Sequence, residues 1–87
     1  MSESQHASLS ITLTDNDTAL SRLLGVVRRR GFSLRALHAS QDGAGKLMVS
    51  MAVESTRPVE LLVRQIAKVI EVEVVQVQHA APAVAVA

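Results

Sequence analysis

From Ala7 to Thr14 apolar and hydroxyl-bearing residues alternate, with Leu9, Ile11 and Leu13 on one side and Ser8, Ser10, Thr12 and Thr14 on the other. A period of two predicts a strand with one face in a core. Asp15-Asn16-Asp17-Thr18 comes next, and short side-chain oxygens of this kind accept hydrogen bonds from the unpaired N–H groups of a helix start. Leu20, Leu23, Leu24 and Val27 then recur at three- and four-residue intervals, the stripe of an amphipathic helix. Gly31 stands where such a helix would stop in left-handed backbone.

A second strand is predicted from Phe32 to about Ala39. Phe32, Leu34 and Ala36 share one side while Leu37 falls on the other, which a bulge or an edge position would explain. Gln41 to Gly45 reads as a hairpin loop with two glycines. The third strand, Lys46 to Glu54, alternates cleanly, with Leu47, Val49, Met51 and Val53 on one face. Ser55, Thr56 and Pro58 open a second helix, Pro58 in its first turn. Its stripe is Val59, Leu62, Val63, Ile66, Val69 and Ile70, which leaves Leu61 exposed. A fourth strand runs from Val72 to about Gln78, with Glu71 and Glu73 read as a solvated face.

Two striped helices between four strands can bury themselves together on one side of a sheet. The expected fold is therefore α+β and ferredoxin-like, of βαββαβ order, a four-stranded antiparallel sheet with two helices on one face. The other face would show Ser8, Ser10, Thr12, Met48, Ser50 and Ala52. Residues 1–6 are expected to form a flexible leader, 7–79 the domain, and 80–87 a disordered tail.

Composition narrows the function classes. At 87 residues the chain has one domain's length, and a domain this small gains from an oligomer or a larger partner. Nine basic and eight acidic residues nearly cancel, so no global field draws the chain toward a polyanion. Phe32 is the sole aromatic residue, which leaves no rings on the sheet to stack nucleic-acid bases. The absence of cysteine removes disulfides and thiolate chemistry. No apolar run has the length of a membrane span and the first six residues lack a signal-peptide core, so a cytoplasmic location is expected.

Candidate chemistry is sparse. His6, His38 and His79 have no carboxylate or second histidine at metal-ligand spacing. No serine sits in a nucleophile elbow, and Gly43 and Gly45 lie in a hairpin rather than before a helix. Catalysis by this chain is not expected. Arg28-Arg29-Arg30 complements the negative end of the first helix, or else meets an acidic partner surface. The Asp15 to Leu20 turn either caps that helix or offers its N–H groups to an amino-acid carboxylate, with Asn16 bonding the ligand's polar groups.

Asn16-Asp17-Thr18-Ala19-Leu20-Ser21-Arg22, followed by Gly31-Phe32, resembles the ACT domain family of small βαββαβ regulatory modules. More closely, the chain is similar to the short small subunits of acetolactate synthase (acetohydroxyacid synthase) of the isozyme II type. Arg57-Pro58-Val59-Glu60-Leu61-Leu62 and Lys68-Val69-Ile70-Glu71-Val72 carry the second half of the resemblance. It covers about Leu9 to Gln78.

The resemblance implies a non-catalytic accessory subunit that activates a large subunit using thiamine diphosphate, magnesium and FAD, early in valine, leucine and isoleucine synthesis. All three cofactors belong to that large subunit. In valine-sensitive relatives the inhibitor sits at a dimer interface beside an Asn-x-x-Gly turn. Asn16 matches that asparagine, but no glycine follows at the matching position, and Ser33 stands where relatives have asparagine. No second, C-terminal domain is expected either, and these departures imply valine insensitivity. The candidate effector turn is thus Asp15, Asn16, Asp17 and Thr18 with Ser33 and Leu34. The candidate homodimer edge is Phe32, Leu34, Ala36 and His38, and the candidate large-subunit contact is Arg28, Arg29, Arg30 and Leu61. The alternatives are a free-standing amino-acid sensor that controls another enzyme or a transporter, and a small acylphosphatase-like enzyme; Asp15 and Asp17 would repel the phosphate that the enzyme needs.

Overall fold

The computed structural model describes residues 4–16 and 18–82. Six elements follow in order: β1 (Gln5–Thr14), α1 (Ala19–Arg29), β2 (Ser33–Gln41), β3 (Lys46–Ser55), α2 (Val59–Ala67) and β4 (Val72–Pro82). The strands form one antiparallel sheet in the order β2-β3-β1-β4. Both helices lie on one face of it, as expected for a ferredoxin-like α+β fold.

The core sits between that face and the helices. Leu9, Ile11 and Leu13 of β1 and Val49, Met51 and Val53 of β3 are all buried. Ala19, Leu23 and Val27 close over them from α1, and Val59, Leu62 and Ile66 from α2. Each of the larger side chains contributes about 1.5–3 kcal/mol by leaving water. On the open face Ser8, Ser10 and Thr12 stand opposite Ala52, Ser50 and Met48.

Several boundaries differ from the expectation. β1 begins at Gln5, inside the expected leader, and β4 runs to Pro82, past the expected start of the tail. The two extensions pair with each other, Gln5 with Pro82, His6 with Ala81 and Ala7 with Ala80, so ladder bonds extend strands that side-chain patterning alone ends earlier. Residues 1–3 and 83–87 lie outside the described residues. In β2 the bulge exists and falls at Arg35, between Leu34 and Ala36. It puts Leu34 and Leu37 on the helix side, opposite Val53 and Met51, and turns Ala36 and His38 to the open side. Leu34 and Ala36 therefore do not share a face. Phe32 precedes the strand and is buried.

The second helix is shorter than its stripe predicts. Pro58 is its N-cap rather than a first-turn residue, and α2 ends at Ala67. Val69 N–H donates to the Ile66 carbonyl and Val72 N–H to that of Val69, both at 3.0 Å. These tight turns break the 3.6-residue period, so Ile70 leaves the core and is 84% exposed. No helix among the described residues is long and apolar enough to cross a membrane.

The first helix stops as its sequence predicts. Gly31 has φ 84°; its N–H donates to the Arg28 carbonyl, and Phe32 N–H to that of Val27. Ser55, buried at the end of β3, donates its hydroxyl to the Gly31 carbonyl at 2.9 Å and accepts from Arg57 N–H at 3.0 Å. One hydroxyl thus joins the ends of α1 and β3 to the approach to α2. A Cβ on Gly31 would stand 3.1 Å from Arg57 Nε, in backbone that costs an L-residue about 1–2 kcal/mol. Gly31→Ala is expected to destabilise the fold by about 1–2 kcal/mol, read as a lower urea midpoint at unchanged slope.

Candidate functional site

The turn from β1 to α1 is held by its neighbours. Thr14 N–H donates to the Glu71 carbonyl at 2.8 Å and Asp15 N–H to that of Gly45 at 2.9 Å. Gln41 Nε2, at the far end of β2, donates to Asp15 Oδ2 at 2.5 Å. Asn16 Oδ1 accepts from the Thr18 N–H at 3.0 Å and from the Thr18 hydroxyl at 3.2 Å. The asparagine oxygen therefore shapes the turn itself. Thr18, the N-cap, makes no side-chain cap bond, and the first turn of α1 carries no acidic residue. The N–H groups of that turn and the positive end of the helix dipole are the chemistry it offers an anion. Asp17 lies outside the described residues.

Ser33 and Leu34 stand elsewhere. They follow the C-terminal end of α1, beside Arg28 and Gly31, so about 16 Å of helix separates them from the turn. A single chain does not bring the five described effector candidates together. Ser33 to Gln41 forms a bare outer edge, exposed along its whole length. Leu34 and Leu37 lie on its helix side, each more than a third exposed, because the helices cover the sheet centre rather than its rim. Of the edge candidates, Leu34, Ala36 and His38 are on the strand, whereas Phe32 precedes it and is buried.

Arg28, Arg29 and Arg30 are exposed. Arg30 Nη2 donates to Gln65 Oε1 on α2 at 2.9 Å. Leu61 is 43% exposed on α2, as its place off the stripe predicts. Among the described residues no three His, Cys, Asp or Glu side chains converge to hold a metal ion.

Glu71 overturns the reading of a solvated acidic face. It is buried at the turn into β4, and Arg22 Nη1 of α1 lies 3.1 Å from its Oε2. Its Oε1 is buried with no partner in the protein. Glu73 does face solvent, bonded by Lys46 and by the Thr14 hydroxyl. The two glutamates part because β4 is irregular between Val72 and Val74, opposite Leu13 and Thr12. Glu71 sits between Ile70 and Val72 in the sequence, and that apolar setting is its only sequence signal. Glu54 is a third paired carboxylate, 2.7 Å from Arg35 Nη2 and 3.5 Å from His6 Nε2, which ties β1, β2 and β3 at the open face. Hydrogen bonding by Arg35 holds the Glu54 carboxyl below its ordinary 4.5, and Lys46 does the same for Glu73.

A family model described as the ACT domain matches residues 15–75. The crystal structure of the ACT domain from GTP pyrophosphokinase of Chlorobium tepidum is similar, with a TM-score of 0.72 at 16% identity over 83% of this chain and 95% of that one. Its solution structure gives 0.69 at 17% identity over 85% of each. The C-terminal domain of the MgtC protein from Mycobacterium tuberculosis gives 0.63 at 11% identity, covering 94% and 89%. At such identities the likeness is one of fold. No curated protein matches the chain.

Two outcomes follow from the paired charges. Arg22→Ala strands a buried carboxylate and is expected to cost about 1–3 kcal/mol, whereas the apolar pair Arg22→Met with Glu71→Leu restores most of it; urea titration of the four members of that cycle measures the coupling. Glu54 and Glu73 have lowered folded values, so their stabilisation is complete above the ordinary 4.5 and is lost as pH falls through the folded values. The thermal midpoint should hold on acidification toward pH 4.5 and drop beneath it, with a shallower drop in Glu54→Gln/Glu73→Gln.

Proposed function

Because the chain belongs to the ACT domain family, we propose that it is a regulatory subunit without chemistry of its own, the accessory small subunit of an acetolactate synthase. In this reading it pairs with a second copy, binds the large subunit and raises its activity. The thiamine diphosphate, magnesium and FAD belong to that large subunit. The acetolactate synthase assignment rests on the resemblance carried by Asn16 to Arg22, Gly31-Phe32, Arg57 to Leu62 and Lys68 to Val72.

The observation that carries the pairing is the bare β2 edge. An unpaired edge with apolar residues on its helix side is a template for another strand. Antiparallel pairing of two β2 strands about Leu37 would set Ser33 of one copy opposite Gln41 of the other. Gln41 is bonded to Asp15, so the pairing would bring Ser33 and Leu34 of one chain beside the Asp15–Thr18 turn of the second. In this reading the described effector candidates meet only across the dimer. The engaged Asn16 oxygen and the absent turn glycine agree with a site that does not respond to valine.

A second reading is favoured by the turn itself. The first turn of α1, free of acidic residues, suits an amino-acid carboxylate, as in a free-standing sensor of branched-chain amino acids that controls another protein.

Co-expression with the acetolactate synthase large subunit of the same organism tests the leading reading. The chain should co-purify and raise turnover, and Leu37→Lys should lower both by shifting the dimer toward monomer in sedimentation. Unchanged turnover without co-purification counts against it. Calorimetry of the isolated chain with valine, leucine and isoleucine separates the readings, since tight binding of any of them favours the sensor.

A further inference from the structure

We propose that the flank of α1 turned toward α2, centred on Gly25, is the surface on which an acidic segment of the large catalytic partner docks; this rests on the regulatory-subunit reading above. Gly25 lies in the middle of an eleven-residue helix, where glycine is less stable than alanine. The fold does not ask for it. Its φ is not positive, and an added Cβ would meet nothing closer than Arg29 Nη1 at 3.5 Å, an ordinary contact. What glycine provides there is a missing side chain that lets another backbone come close.

That gap opens onto a cleft of about 660 Å³ between α1 and the α2–β4 connection, where Arg22, Arg29 and Lys68 surround Gly25, Val69 and Ile70. Among the described residues no carboxylate lines it. The neighbouring Glu71 is turned inward and buried. The ion pairs among the described residues use neither Arg29 nor Lys68. Ile70, expelled from the core by the early end of α2, is the most exposed large apolar side chain among the described residues. Cations around a floor of bare backbone, with one apolar anchor beside them, match a protein segment that carries carboxylates and an apolar side chain. The cleft is open, with its cations on long side chains, and it does not enclose a small anion. Gly25 stands near the crest of α1, with the cleft on one side and Leu20, Leu24 and Arg28 on the β2 side, so pairing at that edge leaves the cleft accessible.

The test is a calorimetric titration of the full chain into the acetolactate synthase large subunit at low and high salt, with Gly25→Leu and with Arg29→Glu/Lys68→Glu. Leucine is the better helix former, so Gly25→Leu should melt no lower than the unsubstituted chain and yet bind at least about tenfold more weakly. The charge reversal should lose about tenfold or more and flatten the salt dependence. Folded variants that bind as tightly as the parent would overturn the docking surface while leaving the subunit reading intact. A parent chain that does not bind the large subunit would remove both. Titration of the isolated chain with ATP and with inorganic phosphate covers the remaining occupant, since binding abolished by Arg29→Glu would reassign the cleft to a small anion.

Discussion

The inner faces of β1 and β3 must be covered, and the rest of the molecule is arranged around that need. Leu9, Ile11 and Leu13 run beside Val49, Met51 and Val53 in the middle of the sheet. Two helices of eleven and nine residues are just enough to close over them. A domain of this size has little surplus apolar surface, so cover is spent at the centre and the rims stay thin. Leu34 and Leu37 on one rim and Val77 on the other remain well exposed for that reason. The surfaces open to partners are a direct consequence of how small the core is.

Polar joints hold α1 at both of its ends. At its start, the backbone of Thr14 and Asp15 is bonded to Glu71 and Gly45, and Arg22 reaches down to Glu71. At its end, Ser55 joins Gly31 to the strand and to the approach to the second helix. The turn before α1 is also bonded to Gln41 at the end of the bare strand. That bond sets the turn beside the end of the bare strand.

Pairing and docking draw on different physics. The β2 rim offers unpaired backbone groups and apolar side chains, suited to an obligate partner of the same kind. The Gly25 flank offers cations around a bare stretch of helix, suited to recognition by charge and close fit. They lie on opposite sides of α1, so in the proposed subunit one helix would stand between self-association and contact with the large subunit.

The order of elements was legible because it follows from local periodicity. The alternation in β1 and β3, the stripe from Leu20 to Val27 and the glycine at 31 each state their conformation without reference to the rest of the chain. The exposure of Leu61 followed from helix geometry, and the irregularity at Leu37 from the failure of alternation. The ends of β1 and β4 were not legible, since Gln5 to Ala7 and Ala80 to Pro82 are strands through each other's backbone, which no side-chain pattern records. Glu71 and Ile70 exchanged their expected places, acid inside and hydrocarbon outside, because α2 ends early and its closing turns reset the period. The candidate site was legible as residue types and not as a place. Asn16 and Ser33 stand at opposite ends of a helix, and only the sheet order, with β2 left at the rim, decides whether a second chain can bring them together.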